Sequence, residues 1–452
     1  MDNTSPKHLV GWVLESPGRG SLAIILSCLT TIFLCTWVVL HSRVYKHSSL
    51  HGLHKITLFF KAIVAPEFIA VEGLQEWSQA RRMVKDCEML TGGSLKLIHA
   101  FYIGMLALRY STPRGERVIW PNQFIWLLEQ DLIKWEDRVR WGLSEEVIRD
   151  KSNADGTAKL IALCQVSWFV AQCIMRRAHN LPLAQLETMT LSYIPLIALT
   201  YFFWWVKPKD VMIPSVVNLP EMSQDMKSIF ESMAVSSAFD NEGLGKQETL
   251  ATIWYLTPRV FEKEIEDKKL EEASRRQYQT VEPKSHQVAP RQHLQEGRQA
   301  DYCDVEGAQS LARSQSIHLS PSEKVSTKER VVACWDPELY HNKFLWPITC
   351  LFGASFGALH LISWYTTFPT PIEQWLWRAA GLVSAVSMLI FMQFERVVLR
   401  WGGPLTVISL VSPVLYLLSR LVMMGGVIAA FRASDPAIYN TYTVSTYWIH
   451  IL

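Results

Sequence analysis

Two apolar runs joined by a short connector constrain this chain more than any other stretch. Leu160 to Met175 and Met189 to Val206 lie in AKLIALCQVSWFVAQCIMRRAHNLPLAQLETMTLSYIPLIALTYFFWWVKPKDV, residues 158–211. Each is close to the roughly 20 residues needed to cross a bilayer core of about 30 Å, so the pair is expected to be two transmembrane helices. The connector holds Arg176, Arg177, a Leu181-Pro182 step and Glu187, an acid suited to the start of the second helix. That helix closes on Trp204 and Trp205 and then Lys207, Pro208 and Lys209, the signature of an apolar helix reaching the headgroups.

Composition extends this reading to the whole chain. Hydrophobic residues make up 49%, charged residues 19%, and 18 tryptophans suit interfacial belts. A net charge of +2 gives no electrostatic footprint for nucleic acid. Eight cysteines without a CxxC pair predict no disulfide framework and no metal site, and no cofactor is expected.

Leu22 to Leu40 reads as a first, retained span, followed by His41, Arg43, Lys46 and Lys55. The positive-inside rule then places that flank in the cytoplasm. Ile56 to Val71 is broken by Lys61, Pro66 and Glu67, which leaves a kinked span and a re-entrant helix both open. Leu95 to Leu108 is a short run with His99, and tryptophans 120, 126, 135 and 141 suggest helices lying on the membrane surface. After the pair come Leu345 to Tyr365, Leu376 to Phe394 and Leu405 to Ala430.

The expected fold is therefore all-α, a polytopic bundle of seven or eight spans. Its organisation is an N-terminal membrane region (1–206), a polar and largely disordered cytoplasmic loop (207–343) and a C-terminal membrane region (344–452). The disorder is expected mainly around Glu262 to Arg330, with a transient helix near Pro258 to Arg276.

Ionisable residues inside apolar runs are the functional candidates. Glu67 and Glu72 are the candidate catalytic acids. Gln165, Trp168 and Gln172 share one helical face, where interhelical bonding and a ligand cavity are equal readings. Together with His99 and His360 they are the candidate substrate-binding residues. Glu76, Glu187, Arg378, Glu395, Arg396 and Arg420 also lie within or beside apolar runs. Gly353-Ala354-Ser355-Phe356-Gly357 fits a nucleophile elbow, but inside an apolar helix its small residues point to close helix packing. His47, His51 and His54 are spaced for metal, yet they follow the first span, where polar residues collect. The chain lacks an aspartate-rich cluster, a phosphate loop, GxGxxG after a strand and HExxH.

The stretch IRDKSNADGTAKLIALCQVSWFVAQCIMRR with the Lys-Pro-terminated second run resembles a large family of uncharacterised multi-span membrane proteins of filamentous fungi. TTIFLCTW, APEF before a charged helix ending ARR, HLISWYTTFPTPIEQWLWR, RLVMMGGVIAAFR and YWIHIL fit the same resemblance. Such relatives often carry glutamate where this chain has Gly426, and proline where it has Ile449. The resemblance implies architecture and a setting in fungal secondary metabolism, with a lipophilic small molecule as partner. By type alone it also brings in the membrane-embedded meroterpenoid cyclases, which are thought to protonate an olefin or epoxide with a buried acid. The rival expectation is a transporter-, receptor- or scaffold-like bundle whose 207–343 loop binds a protein partner.

Overall fold

The computed structural model describes residues 9–14, 19–44, 48–113, 115–152, 156–233, 259–265, 327–333, 337–393 and 404–441. In chain order, α1 (Ser21–Val39) is followed by α2 (Ser48–Val64) and α3 (Pro66–Asp86). Then come α4 (Glu88–Thr91), α5 (Leu97–Gly104), β1 (Leu108–Thr112), β2 (Gly115–Val118), α6 (Pro121–Glu129) and α7 (Glu145–Lys151). The helices α8 (Gly156–Ala178) and α9 (Gln185–Phe203) lead to β3 (Ser215–Val217) and α10 (Gln224–Ser232). Two strands, β4 (Arg259–Ile265) and β5 (Thr327–Ala333), pair antiparallel. The chain ends on α11 (Pro337–Tyr340), α12 (Leu345–His360), α13 (Pro371–Phe391) and α14 (Pro404–Ala430).

Among the described residues six helices are long and apolar enough to cross a membrane: α1, α8, α9, α12 with its continuation to Ser363, α13, and α14 from Val411 onward. Two of the eight apolar runs in the sequence are not among them. The run at residues 95–108 forms only the eight residues of α5, about 12 Å of helix, and then becomes strand β1. The run at 56–71 turns back on itself. Pro66 forbids continuation of α2, Ala65 takes an extended φ of −146°, and Pro66 opens α3 with Glu67 in its first turn.

The two arms of this hairpin face each other, because Lys61 near the end of α2 bonds Glu72 of α3 at 2.7 Å. Its tip is held at mid-bundle. Tyr193, near the middle of α9, donates to the Ile63 carbonyl, and Tyr416 of α14 lies 3.5 Å from the Val64 carbonyl. Away from the tip, Lys55 of α2 and Glu76 of α3 pair with Asp210 and Lys207 in the segment that follows α9. Ile56 to Val71 is therefore a helix–break–helix hairpin and not one continuous helix. Irregular backbone at that depth is tolerated when it is surrounded by protein, and Ala65 is fully buried.

The Lys207-Pro208-Lys209-Asp210 segment fixes that end of the bundle. Lys207 bonds Glu76 of α3 at 2.6 Å and lies over the Trp204 ring. Lys209 donates to the Val38 carbonyl at 2.8 Å, placing a cation on the C-terminus of α1. Asp210 pairs with Lys55 of α2 and lies 3.5 Å from His51. Burial would raise the Asp210 carboxyl, but hydrogen bonds from His51 and Lys55 hold it well below the usual carboxylate range. Both lysines are buried, so they tie helices together instead of reaching for headgroups. His51 is thereby engaged by Asp210 and Ser42; His47 lies outside the described residues.

The segment between the hairpin and α8, joined by residues around Phe230, folds into a cap whose core of Phe101, Tyr102, Phe124, Trp135, Ile148 and Phe230 is continuous with Leu58, Ala62 and Met83 of the hairpin and Trp204 after α9. Trp135 is part of it, Trp126 and Trp141 pack against it and Trp120 is fully buried, so these indoles serve a folded unit. A small sheet of order β2-β1-β3 corrects the all-α expectation. β1 runs parallel to β3, which joins only after α8 and α9 have been traversed, so the sheet stitches cap to bundle. Residues 207–232, expected to begin the disordered loop, belong to this cap. β3 pairs with β1, and the Phe230 carbonyl accepts from Gln123 at 2.8 Å. Most of the remaining loop lies outside the described residues. Where a transient helix was expected near Pro258, Arg259–Ile265 is a strand.

At the far end of the bundle, the segment before α1 meets the segment after α14. Val10 and Ser434 exchange backbone hydrogen bonds of 2.9 and 2.7 Å, and Arg19 pairs with Glu187 at the start of α9. The Arg176 guanidinium donates to the carbonyls of Pro182, Ile438 and Asn440. Gly353 and Gly357 lie against α13, the close packing that the small-residue string suggested. Ser355 bonds only the Phe352 carbonyl of its own helix among the hydrogen bonds found, at 2.7 Å.

Candidate functional site

The hairpin of α2 and α3 carries both candidate acids, and the fold sends them in different directions. Glu67 enters the bundle. Its Oε1 accepts from the Tyr416 hydroxyl at 2.7 Å and from the Arg420 guanidinium, both on α14. Arg420 also lies 3.6 Å from the Phe356 ring centroid, a cation held over an aromatic face of α12. Glu67 and Arg420 are almost fully buried, so the pair is stable only because each neutralises the other.

Glu72 points instead toward the boundary between bundle and cap, where a cavity of about 270 Å³ opens. One wall is the face of α3 formed by Glu72, Gln75, Glu76 and Gln79, spaced three and four residues apart so that all four share a side. Facing them are Ala100, Phe101, Gly104, Met105 and Ile125 of the cap, while Arg43 and Lys207 supply cations. The cavity therefore has a charged and amide-bearing wall and an apolar one.

The other sequence candidates disperse. Gln165 donates to Thr31 of α1 at 3.1 Å, the interhelical bonding that was one of the two readings for its face. Trp168 and Gln172 are half-buried on α8 and do not line the cavity. His360 is buried at the end of α12, with Nδ1 2.8 Å from the Phe356 carbonyl and 3.3 Å from Ser192 Oγ. His99 is in the cap, not the bundle. Its Nδ1 accepts from the Lys96 amide at 2.9 Å and its ring stands edge-on to Trp135. Glu395 and Arg396 lie outside the described residues.

Burial pushes His99 down to about 4, so it is neutral when folded. An unfolded histidine takes a proton near 6.5. Stability from this site is therefore complete above about pH 6.5 and is lost as pH falls toward 4, by up to roughly 3 kcal/mol. Melting of the purified protein between pH 7.5 and 5 should show a steeper decline for the natural chain than for His99→Gln. Equal slopes would remove His99 as the cause.

Gln75 and Gln79 escaped the sequence reading. The signal is a three-and-four-residue polar stripe running from Glu72 through EGLQEWSQ, in a stretch whose amphipathic and charged character singles out its acids and not its amides. Arg420 was one ionisable residue among several, because nothing in its neighbourhood names Glu67 as its partner.

Six helices able to cross a membrane, a hairpin that returns at mid-bundle and a folded cap over one end are the architecture of a multi-pass membrane protein. The chain belongs to DUF8562, a family of unknown function, whose sequence model matches residues 132–289 and 339–417, more than half of the whole. The matched segments contain α8, α9, the lysine-proline clamp, α12 and α13, while the hairpin lies before them. No curated protein and no solved structure matches the chain.

Proposed function

We propose that the chain binds a small amphiphilic molecule in the cavity between α3 and the cap. The observation that carries this reading is the two-sided lining: acids, amides and cations on one side and apolar cap residues on the other. A zwitterionic head would find both signs of charge there, and an apolar tail would find Phe101, Met105 and Ile125. Gly104 lines the cavity, and a Cβ at this position would meet no atom within 4 Å. Gly104→Trp should therefore fill the space without disturbing the fold. In nanodiscs, a photoactivatable alkyl phosphocholine is expected to label the peptide spanning residues 72–83, and Gly104→Trp to abolish that labelling. Undiminished labelling in the variant sinks the proposal.

The chain so read has six crossings and one re-entrant hairpin, in place of seven or eight spans. The cations after α1 support placing the cap in the cytoplasm, and protease protection in sealed vesicles tests this. A fungal source and a role in secondary metabolism rest on the sequence resemblance, and the neighbours of the gene test both.

A cyclase mechanism that begins with proton donation from Glu67 or Glu72 is less well supported. Glu67 already accepts hydrogen bonds from Arg420 and Tyr416, and Glu72 from Lys61, which makes both acids acceptors. Product analysis in microsomes discriminates: turnover of a prenylated substrate that disappears in Glu72→Gln but survives deletion of residues 266–326 would restore the enzyme. A transporter-like role gains from the half-helices that meet at mid-bundle.

A further inference from the structure

One lysine of the cap is held unlike the others. Lys55, Lys61, Lys96 and Lys207 each pair with a carboxylate, and Lys209 bonds a backbone carbonyl at the end of α1. Lys151, the last residue of α7, is half-buried and bonds two hydroxyls instead. Its Nζ lies 2.8 Å from Ser215 Oγ on β3 and 3.4 Å from the Tyr102 hydroxyl on α5, and those two oxygens are 3.0 Å apart. Among the described residues no carboxylate pairs with it.

Burial without a compensating acid pushes the Lys151 ammonium below the ordinary lysine range, so more of it is free amine at neutral pH. The amine also has an uncovered flank. Gly142 stands there in the left-handed region at φ +66°, and a Cβ on it would lie 3.4 Å from both Lys151 Nζ and Ser215 Oγ. Gly142 and Lys151 are both partly exposed, so the space that a side chain would fill opens to solvent. Tyr102 backs the pair from inside: it is fully buried, and burial raises its phenol above the ordinary range, so it keeps its proton. Ser215 donates to the Gly142 carbonyl at 3.2 Å, a hydroxyl hydrogen that can rotate toward another acceptor in the same space.

We propose that Lys151 is a covalent site for a small aldehyde, which it captures as an imine with Tyr102 and Ser215 transferring the protons. The amine lone pair attacks the carbonyl carbon from the Gly142 side and the C–N bond forms. Tyr102 takes a proton from Nζ and hands its own to Ser215, which hands its own to the carbonyl oxygen, so each hydroxyl gives one proton and takes one. A second transfer along the same path expels the hydroxyl of the carbinolamine as water while C=N forms. The net change is one amine and one aldehyde to one imine and one water, with no oxidant or reductant, and hydrolysis reverses it. An aldehyde fits better than a ketone because the space beside Gly142 is that of a single missing side chain. This inference is independent of the amphiphile reading, since none of these residues lines that cavity.

The test incubates the detergent-solubilised full chain at neutral pH with propionaldehyde and sodium cyanoborohydride, which reduces an imine to a stable secondary amine. Mass spectrometry of the peptides then gives a rate for each lysine. Lys151 is expected to react at least about fivefold faster than the exposed Lys85, Lys134 and Lys227. Ser215→Ala and Tyr102→Phe should each bring its rate down toward theirs while leaving theirs unchanged, which a merely structural role for the two hydroxyls would not do. Melting profiles show whether each variant is folded, and if neither is, the comparison within the natural chain decides. The proposal is overturned if Lys151 reacts no faster than the three exposed lysines, or if its rate is unchanged in a folded Ser215→Ala or Tyr102→Phe protein.

Discussion

Glu67→Leu with Arg420 left in place is expected to cost about 3–5 kcal/mol, enough to remove most of the folded protein from a detergent extract. The size of the effect follows from what is left behind. Arg420 is 3% exposed, cannot shed its proton, and would lose the carboxylate that offsets its desolvation. Tyr416 would lose its acceptor at the same time. Arg420→Met should be similarly damaging for the converse reason, a buried carboxylate left with the Tyr416 hydroxyl and without its cation. The decisive measurement is the pair together. Glu67→Leu with Arg420→Met removes both charges, and its melting temperature should lie well above the sum of the single losses, a coupling that a double-mutant cycle reads directly. Simple additivity would mean that the two side chains do not interact as the structure has them.

Gly357→Val is the second large effect. A Cβ at this position would lie 2.6 Å from the Ala385 amide nitrogen and 2.9 Å from the Gly381 carbonyl oxygen, both backbone atoms of α13. Backbone cannot swing aside as a side chain can, so α12 and α13 must separate and lose contact along their length. Overpacking of this kind costs about 1–3 kcal/mol, and more where nothing yields. Gly353→Ala provides the comparison, because its new methyl meets the flexible side chains of Met388 and Met392. We expect Gly357→Val to lower the melting temperature several times as far as Gly353→Ala. A result in the reverse order would remove the backbone clash as the explanation.

Much of the architecture was legible beforehand because crossing a membrane is a one-dimensional requirement. A run such as Ser21–Val39 needs only length and hydrophobicity, and both can be counted along the chain. The exceptions are instructive. Leu97–Gly104 is as apolar as a span, but its greasiness serves the core of the cap, where Phe101, Tyr102 and Ile103 are buried. Composition cannot tell burial in protein from burial in lipid. Residues 207–232 read as the beginning of a polar linker because the composition changes at Lys207, yet pairing of β3 with a strand formed far earlier in the chain gives them a place. The tryptophans between 120 and 141 misled for a related reason: indole suits an interface and a small core equally well.

By itself, then, the sequence determined which segments are apolar enough for lipid, where Pro66 breaks one of them, and which few ionisable residues would have to be accommodated inside. Only the tertiary structure decided how they are accommodated: Glu67 on Arg420, Glu72 on Lys61, Glu76 on Lys207, and a cavity where the polar stripe from Glu72 to Gln79 meets the cap. The physical reason is that hydrophobicity acts on each segment separately, whereas a buried charge is tolerable only beside its opposite. Glu67 and Arg420 are 353 residues apart, and their meeting depends on how α3 and α14 lie side by side, which no local pattern records.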